Sequence, residues 1–391
     1  MQYAFMKIDI RSPFPTTQCG HSCQTEKLFD YHDPLYARVF SFKDEEHFLI
    51  HLSMDLLAFD LQHRNELQEY FQGYYNDKKL RVITSTTHTH YANSVRDPDY
   101  VNYLCDLLKK ETVKLSFRQL SDVQISYQRL HTTAVGKSRI SGYETDNETL
   151  GLIRFYEREN EFFDLLYYNC HPTILQANVP YFSAEYPGYV LRKLEETCPE
   201  RDFSFLQGAA GDISSRFVRD GQDYDALSRL GDHLLSDIDS LMKQDVRKEK
   251  LRLQCKEETV RFDHEFTPID LSKIRADLSE RELETIRLGQ IERAKLENKK
   301  NQIFGKPVEE ALIASLDLSA VRLIFFPNEI FSEYMDFLDK DRELLVSYSN
   351  GYGPYVLPIG FQYITYEMFT DTLTEETKKR IISTLQNIGR N

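Results

Sequence analysis

The sequence has no Cys-x-x-Cys pair and no segment that approaches the roughly 18 consecutive apolar residues of a membrane span. The scattered cysteines therefore indicate neither a zinc ribbon nor a disulfide framework, and reduced thiols are predicted at Cys19, Cys23, Cys105, Cys170, Cys198 and Cys255. The amino-terminal segment lacks the basic flank and the apolar run of a secretory signal. These absences predict a cytoplasmic protein without a transmembrane segment.

An excess of basic residues is also lacking, because the formal net charge is −14. A field of this sign repels phosphate at long range, which argues against a nucleic-acid or anionic-membrane partner but not against a local basic pocket. Hydrophobic residues make up 41% of the chain and charged residues 28%, as is ordinary for a globular protein. A folded enzyme that acts on a small molecule is therefore permitted.

Apolar segments rich in β-branched residues alternate along the chain with segments of helical periodicity. Strands are predicted at 48–58, 80–87, 150–169, 319–326 and 343–348, with a hairpin near 157–161. Helices are predicted at 64–76, 98–118, 186–198, 223–243 and 268–303, the last of these regions forming long exposed helices. The alternation predicts an α/β fold, a layered α/β/α domain with central mixed sheets.

No repeat, linker-like stretch or low-complexity tract interrupts the sequence, and the candidate site residues come from both ends of the chain. We therefore expect residues 1–391 to form a single domain.

The strongest local motif is His88-x-His90, which follows the predicted strand at 80–87. In extended chain, residues i and i+2 project to the same face, so both imidazoles could address one metal or one substrate. Two hydrogen-bonded histidines without a ligand are an equally good explanation of this motif taken alone. His171 follows the strand of 150–169, and Pro172 favours an extended conformation for it. A single histidine beside proline is commonly structural, but His171 together with the His88-x-His90 motif indicates a metal ligand.

Three further segments carry polar groups after apolar runs. Gly211-Asp212-Ile213-Ser214 closes a loop of small residues, and Ser214 could serve as a nucleophile or as a hydrogen-bond donor. Glu329 follows a strand that looks buried, where a lone charge needs a partner such as a metal. Tyr355 lies in a turn-rich segment with several tyrosines, where packing is the common role and metal ligation is possible.

Taken together and in this order, the motifs resemble those of the neutral/alkaline ceramidase family. The likeness begins with IDIRSP and His32-Asp33-Pro34 and extends to Tyr366. The family's Ser-Gly-Pro after the histidine pair is Tyr91-Ala92-Asn93 here, and its Pro-Asn after the serine is Ser215-Arg216. The resemblance implies the catalytic domain without the carboxyl-terminal immunoglobulin-like domain, for which no room is left.

The resemblance also implies the roles of individual residues. A Zn²⁺ ion would be held by His88, His171, Glu329 and Tyr355, and His90, Ser214 and Tyr355 would be catalytic. Arg139, Asp212 and Tyr366 would contact the substrate. The implied reaction is hydrolysis of an amide bond in a small-molecule or lipid-like N-acyl substrate by metal-activated water. Two alternatives stay open: a cytoplasmic amidase for a non-lipid metabolite or a modified peptide, and a metal-binding homologue without turnover.

Overall fold

A computed structural model of the protein describes residues 1–20, 25–303 and 308–390. The strands of this part are Gln2–Asp9 (β1), Tyr36–Lys43 (β2), Phe48–Met54 (β3), Leu80–Thr86 (β4), Arg118–Gln119 (β5), Val123–His131 (β6), Lys137–Ser138 (β7), Thr149–Glu157 (β8), Asn160–Tyr168 (β9), Asp202–Gln207 (β10), Ile213–Ser214 (β11), Glu249–Lys250 (β12), Gln254–Asp263 (β13), Val308–Asp317 (β14), Arg322–Phe325 (β15), Asn328–Ile330 (β16), Glu343–Val346 (β17) and Gly353–Val356 (β18). The helices are Leu61–Tyr75 (α1), Pro98–Thr112 (α2), Glu185–Thr197 (α3), Tyr224–Met242 (α4), Glu280–Ile303 (α5), Tyr366–Thr370 (α6) and Glu375–Asn387 (α7).

Two mixed five-stranded sheets form the centre of the fold, with the strand orders β4-β3-β2-β1-β5 and β10-β9-β8-β6-β12. Their facing sides share one apolar cluster, in which Phe40 and Phe42 of the first sheet meet Phe155 and Phe163 of the second. A four-stranded sheet, β13-β14-β15-β17, contributes Phe325 to the same cluster. The core therefore lies between three sheets.

The helices lie on the outer faces of the sheets. Helices α1 and α2 pack on the first sheet, and α3 and α4 pack on the second. Helix α7 covers the four-stranded sheet through Ile381 and Leu385. This arrangement confirms the predicted layered α/β fold with mixed sheets, and its central layer is built from sheets packed face to face.

The predicted elements agree with the structure in position and differ mainly at their ends. The hairpin is confirmed, since β8 and β9 pair antiparallel up to Glu157 and Asn160. The region 268–303 contains one long helix, α5, preceded by a single 3₁₀ turn at Leu271–Lys273. Nine of the 18 described positions of α5, residues 280–297, are exposed, and three are buried, so the predicted exposure holds for one face of the helix. No helix among the described residues is long and apolar enough to cross a bilayer.

The five described cysteines, Cys19, Cys105, Cys170, Cys198 and Cys255, are free thiols, as predicted, and Cys23 lies outside the described residues.

Phe163 occupies the centre of the aromatic core and contacts the rings of Tyr3, Phe40 and Phe155. We expect Phe163→Ala to lower the free energy of unfolding by about 3–5 kcal/mol, because it removes a fully buried ring and leaves a cavity. Denaturant titration measures this loss. Phe29→Ala is the matched control, since that ring is 56% exposed and its loss should cost less than about 0.5 kcal/mol. Equal losses for the two variants would contradict the assignment of the core.

Candidate metal centre

The candidate site lies where the carboxyl ends of strands from all three larger sheets meet. Backbone hydrogen bonds join these ends: the Thr86 N–H donates to the Tyr348 carbonyl at 3.2 Å, and the Ser347 N–H donates to the Gln207 carbonyl at 2.9 Å. His88 follows β4 and His171 follows β9. The loop to Ser214 follows β10, and Glu329 follows β15. Residues far apart in sequence therefore converge because the strands that precede them end together.

His88 is fixed in a conformation that few non-glycine residues adopt, with φ at +62°. Its Nδ1 lies 2.8 Å from the carbonyl oxygen of Leu57, and its ring stacks on Tyr348 with centroids 3.8 Å apart. A carbonyl oxygen only accepts, so Nδ1 of His88 carries a hydrogen, and Nε2 is the atom left to face the site. That buried Nε2 makes no hydrogen bond within the described residues.

His171 is held in the same manner. Its backbone N–H donates to the Ile213 carbonyl at 3.0 Å, and its Nδ1 donates to the Ala210 carbonyl at 2.6 Å. Burial lowers the pKa of His171 to about 4, so the ring is neutral at pH 7. Its Nε2 lies 3.1 Å from Oε2 of Glu329.

Glu329 brings a carboxylate to the two imidazoles. Its Oε2 is 3.1 Å from Nε2 of His171 and 3.5 Å from Nε2 of His88. Burial opposes the charged carboxylate, but the two histidines outweigh it and hold the pKa of Glu329 well below its usual range. Positive charge beside the carboxylate, from a proton on an imidazole or from a metal ion, would stabilise it in this buried site. Imidazole and carboxylate donors fit zinc, and they also accept iron, nickel or manganese.

His90 adds a third imidazole. The ligand-forming atoms of His88, His90 and His171 all lie within 4.8 Å of one another, so the three residues could hold a metal ion. Gly20 packs directly against the His90 ring, because an added Cβ there would lie 2.6 Å from its Cγ. The predicted catalytic role of His90 and a role as ligand are both compatible with this placement.

Two tyrosines that the sequence reasoning did not single out support the centre. The hydroxyl of Tyr352 donates to Oε1 of Glu329 at 2.6 Å, while Tyr348 stacks on His88. Groups that orient ligands in this way commonly tune metal affinity. The tyrosines at 348, 352 and 355 are visible in the sequence, but the sequence does not indicate which of them contacts Glu329 and which stacks on His88.

Tyr355 and Arg139 form a second polar group beside the histidines. Nη2 of Arg139 donates to the Tyr355 hydroxyl at 2.8 Å and to the Gly211 carbonyl at 2.8 Å, and it lies 2.9 Å from Oε1 of Glu367. Burial alone would lower the pKa of Arg139, but Tyr355 and Glu367 raise it above its usual value. The ring of Tyr366 meets that of Tyr355 edge to face at 6.0 Å. Ligation of a metal by Tyr355 stays a prediction.

Ser214 and Asp212 belong to the loop between β10 and β11 but face different neighbours. Ser214 lines the site cavity, and its Oγ accepts from the Arg216 N–H at 3.3 Å. Both carboxylate oxygens of Asp212 accept hydrogen bonds from Ser332, at 2.6 and 2.8 Å. Burial raises the pKa of Asp212 to about 6. In this structure Asp212 therefore ties two loops together, and its contact with a substrate stays a prediction.

One cavity of about 440 Å³ joins most of the predicted residues. Those that line it are His88, His90, Arg139, Ser214, Glu329, Tyr355 and Tyr366. His171 and Asp212 are fully buried. The volume is in the range of small-molecule sites.

The chain is similar to solved structures of ceramidases over nearly its whole length. The crystal structure of neutral ceramidase from Pseudomonas aeruginosa matches with a TM-score of 0.74 and 13% identity over 99% of this chain and 73% of that one. A ceramidase complexed with C2 matches with a TM-score of 0.75 and 13% identity, over 99% and 74% of the two chains. The predicted resemblance is thus confirmed for the fold. No protein-family model and no curated protein matches the chain.

Tyr352→Phe tests the support of Glu329. We expect metal affinity to fall about 10- to 100-fold, because the carboxylate loses the hydrogen bond that orients it. Competition with a chelator measures the affinity. Tyr334→Phe is the matched control, because it removes one buried hydrogen bond, to the Leu357 carbonyl, outside the centre. Unchanged affinity in Tyr352→Phe, or an equal loss in the control, would refute the role of Tyr352.

Proposed function

We propose that the protein is a metal-dependent hydrolase that cleaves the amide bond of an N-acyl substrate. The observation that carries the proposal is the convergence of two buried imidazoles and a carboxylate at the cavity wall, with a third imidazole beside them. His88, His171 and Glu329 would hold the ion, with His90 or Tyr355 completing the set. When bound, zinc would supply Lewis-acid chemistry that activates water and polarises the amide carbonyl.

The chain's own groups are placed for the remaining steps. Arg139 donates to the Tyr355 hydroxyl, and this leaves the phenol hydrogen free to be donated toward an oxygen that gains charge in the transition state. His90 lines the same cavity and is a candidate to pass a proton to the departing amine. The shared ceramidase fold supports an amide as the bond that is cleaved.

The geometry favours a supporting role for Ser214 over nucleophilic attack. A serine nucleophile needs a base within hydrogen-bond reach. Among the described residues, no imidazole or carboxylate accepts a hydrogen bond from Ser214, whose Oγ instead accepts from the Arg216 N–H. We therefore propose that water attacks and that the Ser214 hydroxyl donates to the substrate.

Five arginines line the cavity. These polar, charged groups favour the alternative of an amidase that acts on a non-lipid metabolite or a modified peptide. A metal-binding homologue without turnover would keep the centre but fail the assay below. The cytoplasmic location remains the prediction made from the sequence.

The decisive assay measures release of free amine from a panel of N-acyl compounds by the full chain. We expect cleavage of at least one compound, loss of cleavage after chelation, and recovery when zinc is added back, because the three ligands hold the catalytic ion. Cleavage that survives complete removal of metal, or no cleavage by zinc-loaded protein, would contradict the proposed function.

Ser214→Ala separates the two roles of the serine. Loss of one hydrogen-bond donor to the transition state should lower kcat/KM by about 10²- to 10³-fold. A nucleophile would instead be indispensable, with a loss on the order of 10⁶-fold and a burst of product in the wild type. Single-turnover and steady-state kinetics distinguish these results. Ser228→Ala, on helix α4, is the control and should leave the rate unchanged.

A further inference from the structure

The cavity of the candidate metal centre holds a concentration of positive charge. The arginines that line it are Arg96, Arg139, Arg216, Arg219 and Arg281. The whole chain, in contrast, carries a formal net charge of −14. Like charges gathered in a concave, partly buried site raise its electrostatic potential and attract anions. The cluster is therefore a local feature that the overall composition does not explain.

The acidic groups of the same cavity neutralise only part of this charge. Glu367 pairs with Arg139 at 2.9 Å, and Glu292 pairs with Lys295 at 2.6 Å. Glu329 faces the histidines. Within the described residues, no carboxylate forms an ion pair with Arg96, Arg216, Arg219 or Arg281.

Two of these arginines are positioned by neutral groups. Nη1 of Arg216 donates to the Arg139 carbonyl at 3.3 Å, and Nη1 of Arg219 donates to the carbonyls of Thr173 and Ile174. Burial and the charge of Arg139 lower the pKa of Arg216 to about 10, which leaves the guanidinium charged at pH 7. Both side chains thus hold positive charge near Ser214 without a directly ion-paired carboxylate.

Arg281 reaches the cavity from the first turn of helix α5. Gly289 allows this helix to pack tightly on α6, since an added Cβ would lie 2.9 Å from Phe369 and 3.0 Å from the Cα of Tyr366. The Glu282 carboxylate also accepts a hydrogen bond from Ser141. These contacts fix α5 beside the cavity, which Arg281 lines together with the half-buried Arg216 and Arg219.

We propose that the substrate carries an anionic oxygen group, a carboxylate or a phosphate, which Arg216, Arg219 and Arg281 bind while the amide lies at the metal centre. Guanidinium groups bind both kinds of anion through paired N–H donors. The inference rests on the proposed amide hydrolysis and narrows its substrate class. Ceramide, which is uncharged, offers nothing to this cluster.

Binding to the metal-free full chain tests the anion site independently of turnover. The probes are N-acetylglycine, N-acetyl-O-phosphoethanolamine and the neutral N-acetylethanolamine, and calorimetric titration gives each Kd. We expect at least one anionic probe to bind tenfold or more tightly than the neutral one, and its affinity to fall with added salt. The preferred anion identifies carboxylate or phosphate as the recognised group.

Arg281→Gln should weaken that anionic probe at least fivefold, and Arg216→Gln should do the same. Arg287→Gln is the matched control on helix α5, because Arg287 is exposed and lines neither the cavity nor the centre. Arg281 is exposed as well, so its variant tests the proposal even where Arg216→Gln fails to fold.

Equal binding of all three probes, or unchanged affinity in Arg281→Gln, would overturn the proposed anion site. The proposed function would survive that result if the protein still cleaved a neutral amide in a metal-dependent manner. The opposite result is also possible: the anionic probes bind in an arginine-dependent manner, but zinc-loaded protein cleaves none of their longer-chain analogues. That result would support the anion site and contradict the proposed function. The experiments therefore distinguish failure of the anion site from failure of the proposed amide hydrolysis.

Discussion

The pairing of two histidine Nδ1 atoms with backbone carbonyls determines what the centre can do. The Leu57 and Ala210 carbonyls accept from Nδ1 of His88 and His171, which leaves both Nε2 atoms directed at one oxygen of Glu329. In a buried site this cluster needs positive charge beside the carboxylate, and we propose that a metal ion supplies it. The proposed metal centre would therefore depend on backbone positions as much as on the ligand side chains.

The fold supplies those backbone positions by ending strands of three sheets at one place. Leu57 follows β3, and Ala210 lies in the loop after β10, so each carbonyl is set by a different sheet. The aromatic core between the sheets holds them in register. The positive φ of His88 is maintained by this surrounding structure, as expected for strain at a functional site.

The sequence was sufficient to predict the layered α/β fold and the residues that meet at the site. Strand-terminal histidines and an isolated Glu329 are local signals, and the order of the motifs carried the family resemblance. The hydrogen bond from Tyr352 to Glu329 spans 23 positions, and the one from Ser332 to Asp212 spans 120. The arginine cluster joins residues from separate segments of the chain. Periodicity and spacing contain no information about such contacts, which tertiary packing decides.

Elemental analysis of the purified chain tests the central claim most directly. We predict about one zinc, or another divalent ion, per chain in the wild type and its loss in both His88→Ala and His171→Ala, because each variant removes one ligand. His233→Ala, an exposed histidine of α4, should retain the metal. Equal metal content in all four proteins, or none in the wild type after growth with zinc, would contradict the account of the centre.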